Sequence, residues 1–246
     1  MDSKQNVKPK SSSNAVHCER LCYAAKEAFK RLRKNTEIEL SVLGEGCKVI
    51  GITSAQPNEG KSTIALNLAY SLAEHEARVV LIDADMRRPS IHEKIGISRT
   101  PGLSALLSEE PNISAVIRKY ESSAGNTAFD IIPSGEIISN PSEMLDSKRM
   151  QLLIEALSEK YDYIVLDLPP VEAVIDAVAV TKFLDGVIVV LRENKCSRTA
   201  LVDCVYQLEH AGARILGFAV NGAMEGSGKE YKNGYYRKYN YSYNYR

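Results

Sequence analysis

Gly60, Lys61, Ser62 and Thr63 follow a run of apolar and β-branched residues at 49–53 and open a helical stretch. A strand, a tight loop and Gly-Lys-Ser/Thr at a helix start form a phosphate cradle. Loop N–H groups and the helix N-terminus face anionic oxygens. Lys61 then reaches the β- and γ-phosphates, and the Ser62 hydroxyl is placed to ligate Mg²⁺. The loop itself is Gln56, Pro57, Asn58 and Glu59. Ala55 stands where the common pattern has its first glycine, but Asn58 tolerates a left-handed backbone better than other non-glycine residues, so the turn is still buildable. Two more apolar runs end in acid: one at Asp83 and Asp85, followed by Arg87 and Arg88, the other at Asp167. In an open parallel sheet, ligands sit beyond the carboxyl ends of the strands. These acids are therefore expected beside the phosphates, Asp167 as a metal holder and the Asp83/Asp85 pair as metal ligand and acceptor of a hydroxyl proton. The two arginines are expected to bind an anion.

The elements that must position these groups are legible from periodicity. Short apolar runs predict strands at 48–53, 78–83, 129–132, 162–167, 186–191 and 214–220. Helical patterns fall at 61–75, 102–108, 112–119, 146–159, 175–183 and 197–210. Such alternation implies an α/β fold: a mostly parallel sheet with helices on both faces. A further helix is expected from His17 to about Asn35, with Leu21, Ala24, Ala25, Ala28, Phe29 and Leu32 as its apolar stripe. Residues 1–14 read as a disordered N-terminus, 15–222 as one domain and 223–246 as a tail without enough aliphatic residues to build a core.

Composition narrows the function. Thirty-one basic and 31 acidic side chains cancel, so bulk charge argues for no nucleic-acid partner. No apolar run approaches the roughly 20 residues that span a bilayer. Cys18, Cys22, Cys47, Cys196 and Cys204 are scattered without a second metal-ligand pair, which fits reduced thiols. The tail is a compositional island: Tyr231, Tyr235, Tyr236, Tyr239, Tyr241, Tyr243 and Tyr245 sit among Lys, Arg, Asn, Gly and Ser. Three readings fit it: stacking on single-stranded nucleic acid, self-association, or presentation of phenolic hydroxyls to a kinase.

Together these motifs resemble the bacterial tyrosine kinases of capsule and exopolysaccharide operons. That family's phosphate loop, S-x-x-P-x-E-G-K-S-T, matches residues 54–63; its D-x-D-x-R element matches Asp83 to Arg87; its D-x-P-P element matches Asp167 to Pro170. The resemblance implies a P-loop NTPase-like fold and an ATP- and Mg²⁺-dependent protein-tyrosine kinase in which Lys61, Asp83, Asp85 and Asp167 are catalytic. Ser62 and the three aspartates would hold the metal. Residues 56–63, Arg192 and Asn221 would bind nucleotide, with Asn221 at the adenine, and the tail tyrosines would be phosphoacceptors. It further implies cytoplasmic location, recruitment to the inner membrane face by a separate membrane-anchored activator, polysaccharide-pathway protein substrates, and a homo-oligomeric ring. Ring contacts fall to the helix motif Glu27, Lys30 and Arg33, where Lys30 replaces the family's first Arg and loses its bidentate fork. Two other readings compete: a partitioning or division ATPase switch, whose signature Lys early in the loop is here Gln56, and a Tyr-rich adaptor with a degenerate nucleotide site.

Overall fold

The computed structural model describes residues 6–7, 18–108, 112–172 and 176–222. The tail tyrosines and most of the segment 1–14 lie outside the described residues.

Eight strands form one sheet: β1 (Asn6–Val7), β2 (Lys48–Ser54), β3 (Val79–Asp83), β4 (Arg118–Glu121), β5 (Ala128–Ile132), β6 (Tyr163–Asp167), β7 (Gly186–Arg192) and β8 (Ile215–Asn221). Their order is β1-β4-β5-β3-β6-β2-β7-β8, and every pairing is parallel except β4 with β5. Alternation along the strands divides the core. Val79 and Leu81 face one layer with Ile50, Ile52 and Val165, while Val80 and Ile82 face the other with Ile164 and Leu166. The first layer is closed by α1 (Tyr23–Ser41), α2 (Lys61–Ala73) and α3 (Ile91–Ile95). The second is closed by α4 (Leu103–Ser108), α5 (Ile113–Val116), α6 (Pro141–Leu145), α7 (Lys148–Ser158), α8 (Asp176–Ala179) and α9 (Arg198–His210).

Local signals explain these helices. In α7, Met150, Leu153, Ile154 and Leu157 recur at helical spacing and are buried, and the Ser147 side chain caps the first turn by accepting from the Met150 N–H. Helix α2 is buried from Ile64 through Ala73, because α1 covers the side that the sheet leaves open.

Several expectations are corrected. The helix foreseen at 112–119 is only α5, capped by Asn112, and the chain then turns into the antiparallel strand β4. Arg-Lys-Tyr-Glu carries one buried side chain, Tyr120, too little alternation to announce a strand. Asn6 and Val7, within the segment expected to be disordered, pair with Lys119 and Tyr120. The N-terminal helix starts and ends later than foreseen. Ala24 and Ala28 of its expected stripe are exposed, and its buried residues are Arg33, Thr36 and Leu40. The stretch 175–183 contains α8 and a separate 3-10 turn, Thr181–Phe183. Helices α3 and α6, five residues each, were too short to foresee. No helix among the described residues is long and apolar enough to cross a membrane.

Candidate active site

The central strand β2 delivers the loop 55–60, and its neighbours deliver the acids. Strands β3 and β6 pair in register so that Asp83 lies opposite Asp167, and the Ala84 N–H donates to the Asp167 carbonyl (2.9 Å). The loop turns through two left-handed residues, Asn58 (φ 62°) and Gly60 (φ 98°). Asn58 thus fills the role expected of it. At Gly60 a Cβ would lie 2.0 Å from the Asn221 side-chain nitrogen, so glycine is required both for φ and for space. The loop also binds itself: the Ser54 hydroxyl donates to the Gln56 carbonyl (2.8 Å), and the Gln56 N–H donates to the Glu59 carboxylate (3.0 Å).

Glu59 therefore turns inward. It is fully buried, with one oxygen left without a partner, so any part it takes in binding nucleotide falls to its backbone N–H. Strands β7 and β8 hold the loop from the far side. Asn221 Nδ2 donates to the Glu59 carbonyl (2.9 Å), Lys195 Nζ to the Pro57 carbonyl (2.8 Å), and Arg192 reaches the Asn58 carbonyl (3.4 Å). Arg192 and Asn221, expected to bind nucleotide, thus stand at the loop and bond to its carbonyls. Lys195 was not foreseen, having no signal beyond its place in the turn after β7.

Lys61 Nζ donates to Asp85 Oδ2 at 2.7 Å, and both side chains are nearly buried. Burial works against the ammonium, but Asp167, Asp85 and Asp83 outweigh it and raise the Lys61 pKa. The other Asp85 oxygen accepts from the Arg88 N–H (3.0 Å). Asp83 is inaccessible to solvent; Oδ2 accepts from the Ile91 N–H (3.2 Å) and Oδ1 has no partner. Burial, then the adjoining Asp167, pushes the Asp83 carboxyl well above its ordinary range. Burial likewise raises Asp167 to about 6, with Lys61 and the nearby Ser62 hydroxyl pulling in the opposite direction. That hydroxyl is close enough to influence the carboxylate but is not in hydrogen-bonding geometry, and both Asp167 oxygens lack a partner.

Three unpartnered carboxylate oxygens beneath a phosphate loop suit a divalent cation. Among the described residues no three His, Cys, Asp or Glu side chains close into a metal cage. Mg²⁺ does not need one: it keeps waters and is held by one or two carboxylates, a hydroxyl and substrate phosphates. Ser62, Asp83 and Asp167 fit that donor set.

Above these groups opens a cavity of about 450 Å³, walled by the loop on one side and by Asp85, Arg88, Lys94 and Pro169 on the other. Arg87, expected to bind an anion, is instead committed to protein. Its guanidinium grips buried Asp176 through two bonds (2.7 and 3.1 Å), and Asp176 also accepts from the Ser142 hydroxyl. Arg88 remains exposed at the cavity. Asp176 and Lys94 were missed because nothing in the sequence links α8 or α3 to the loop. On α1, Lys30 pairs with Glu27 in solvent (2.8 Å). Arg33 does not share that surface. It is 8% exposed and paired with Glu37 (2.5 Å), within a crevice that includes Leu72, His75 and Tyr163.

Residues 47–214 match the family model described as an AAA domain. The chain is 33% identical over 210 residues to tyrosine-protein kinase YwqD of Bacillus subtilis strain 168, covering 85% of each. It is 34% identical over 201 residues to tyrosine-protein kinase ptk of Acinetobacter johnsonii, covering 82% of this chain but only 27% of that protein. The match thus spans most of one relative and about a quarter of the other. Among solved structures, the kinase domain of Escherichia coli tyrosine kinase ETK aligns with a TM-score of 0.79 at 30% identity, covering 95% of this chain and 89% of that one.

Proposed function

The chain belongs to the bacterial tyrosine-kinase family, and from that premise we propose that it transfers the γ-phosphoryl group of ATP to tyrosine hydroxyls, including its own C-terminal cluster, and so regulates capsular or exopolysaccharide synthesis and export. The observation that carries the reading is the convergence of Lys61, Asp83, Asp85 and Asp167 on one phosphate loop. The intact acids and lysine speak against a degenerate adaptor, and the family speaks against a partitioning switch.

Loop N–H groups and the α2 N-terminus take the ATP phosphates. Lys61 exchanges Asp85 for the β- and γ-phosphates, which frees a carboxylate at the cavity wall. An aspartate of the 83/85 pair accepts the phenolic proton; Asp85 borders the cavity, whereas Asp83 lies beneath it. Ser62, Asp83 and Asp167 would hold Mg²⁺, which when bound would neutralise charge on the transferring phosphoryl group. Rate enhancement comes from positioning and electrostatics. Arg192 and Asn221 border the nucleoside. Activity requires a separate membrane-anchored activator at the cytoplasmic face, and Glu27 and Lys30 contribute to contacts between subunits of a ring.

The test is intact mass after incubation with Mg-ATP, with and without cytoplasmic segments of candidate membrane partners. Successive phosphate additions on tail tyrosines are expected, and none in Lys61→Met. Phosphorylation of tyrosine by Lys61→Met at the wild-type rate would overturn the assignment.

A further inference from the structure

Besides Lys61, five cationic side chains stand near the phosphate loop on its β3 and β7 sides, and three of them, Lys195, Arg192 and Arg87, have visible tasks or partners. Lys195 braces the loop carbonyls. Arg87 is neutralised by Asp176. Lys61 itself is paired with Asp85. Arg88 and Lys94 also line the cavity, and no hydrogen bond or ion pair from either side chain is found among the described residues. Lys94 is near enough for its charge to be felt at Asp167.

Their position says which reactant they meet. The sheet order puts β7 and β8 on one side of the phosphate loop, and β6 and β3 on the other. Arg192 and Asn221 touch the loop from the β7–β8 side, so the nucleoside lies there under the kinase reading on which this inference rests. The phosphate chain then points toward α3. In-line displacement needs the acceptor beyond the γ-phosphate, opposite the leaving oxygen. Arg88 and Lys94 are therefore on the acceptor side.

An unmodified tail offers them little. Its run at 239–245, Tyr-Asn-Tyr-Ser-Tyr-Asn-Tyr, carries no charge, and basic residues flank it. One phosphate changes that by adding about −1.5 to −2 charges and three strong acceptors. Tyrosines two apart on an extended chain are separated by about 6.5–7 Å and project to the same side. We propose that Arg88 and Lys94 form a subsite for a tyrosine that is already phosphorylated, presenting the tyrosine two residues away to the catalytic aspartates, so that the 239–245 run is modified as a primed series. In each round the phenolic proton passes to an aspartate carboxylate and the phenolic oxygen bonds to the γ-phosphorus. The bond from that phosphorus to the β–γ bridging oxygen breaks, and ADP leaves.

The test uses the full chain saturated with Mg²⁺ and a non-hydrolysable ATP analogue, so that the phosphate loop is filled. Two labelled heptapeptides of sequence 239–245, one unmodified and one phosphorylated only at the position of Tyr243, are titrated by fluorescence anisotropy. The phosphopeptide should bind at least about tenfold more tightly, the scale of charge-assisted pairing. In Arg88→Ala/Lys94→Ala the two peptides should bind within about twofold of each other, while affinity for the ATP analogue, which reports the fold, is retained. Equal binding to the wild type, or an undiminished preference in the double variant, overturns the subsite. Absence of tyrosine phosphate after treatment with Mg-ATP and the activator would instead defeat the kinase reading, which the binding titration does not measure.

Discussion

At Asp83 the protein keeps a carboxylate where its surroundings disfavour charge. Burial and Asp167 both oppose ionisation, and one oxygen has no partner. Asp83→Asn keeps the shape and removes the charge. Without Mg²⁺ and nucleotide the variant should melt higher than wild type, each kcal/mol of relief being worth about 2–4 °C in a domain of this size. Its tyrosine phosphorylation should fall at least about 100-fold. Calorimetry and a phosphotyrosine assay check both halves; a lower melting temperature would mean that the acid supports the fold. The thiols make a second case. Burial, with Glu59 beside it, raises Cys196 to about 11, and burial raises Cys204 to about 12. A raised pKa leaves little thiolate at pH 8, so both should resist iodoacetamide in the native chain while exposed Cys22 reacts. Cys196 alkylation should rise about tenfold per pH unit from 8 to 10, read by peptide mass. At this scale the sequence was most legible where chemistry demands adjacency: Lys61, Ser62, Asp83, Asp85 and Asp167 all stand at strand or helix ends around one loop. It was least legible for side chains whose partners come from distant elements. Arg87 looks like an anion binder until Asp176, 89 residues away, takes two of its three guanidinium nitrogens.

At the level of elements, the loop between β2 and α2 is held in shape by contacts that cross the sheet, chiefly from Asn221. Gly60→Ala forces a left-handed alanine and drives its Cβ into the Asn221 amide. Strain of about 1–2 kcal/mol and displacement of the Asn221 side chain are expected. ATP affinity should drop by at least about tenfold, as each 1.4 kcal/mol is one decade. Far-ultraviolet circular dichroism should stay unchanged, because Gly60 precedes α2 and belongs to neither flanking element. Titration with a fluorescent ATP analogue decides it, and wild-type affinity would show that the loop tolerates another path. The buried strands β2, β3, β6 and β7 were readable because continuous apolar runs have few other places to go. Strand β4 was not, since its polar side chains are placed by backbone pairing with β5 and carry no pattern of their own. The inward turn of Arg33 was equally hidden, because a charged residue on an amphipathic helix reads as solvated until α2 and β6 pack beside it.

For the whole molecule, the contrast on α1 separates assembly from stability. Glu27 and Lys30 face solvent as a pair, so Glu27→Ala/Lys30→Ala should leave melting within about 2 °C of wild type, as exposed pairs contribute about 0–1 kcal/mol. The same variant should shift light scattering in Mg-ATP and activator toward monomer. Arg33→Ala should lower the melting temperature, because it empties a nearly buried position and leaves Glu37 only its longer contact with exposed Lys34 (3.5 Å). If wild type is itself strictly monomeric at all concentrations, the ring fails. Assembly matters because of where the tail begins. Strand β8 ends at Asn221, beside its own phosphate loop. Any unstructured linker of the 25-residue length that follows in the sequence would have a reach of about 25–30 Å. Four strand spacings, from β8 to β3, amount to about 19 Å, so length permits a chain to serve its own site. Transfer between protomers is the expected path if the proposed ring brings a neighbour's tail to the site. Mixing full-length Lys61→Met with active chain truncated after Gly226 separates the two, because only the inactive chain then carries tail acceptors. Phosphotyrosine on Lys61→Met demonstrates transfer between molecules. Its absence, with intact wild type phosphorylated equally well over a wide dilution range, would show that each chain modifies itself.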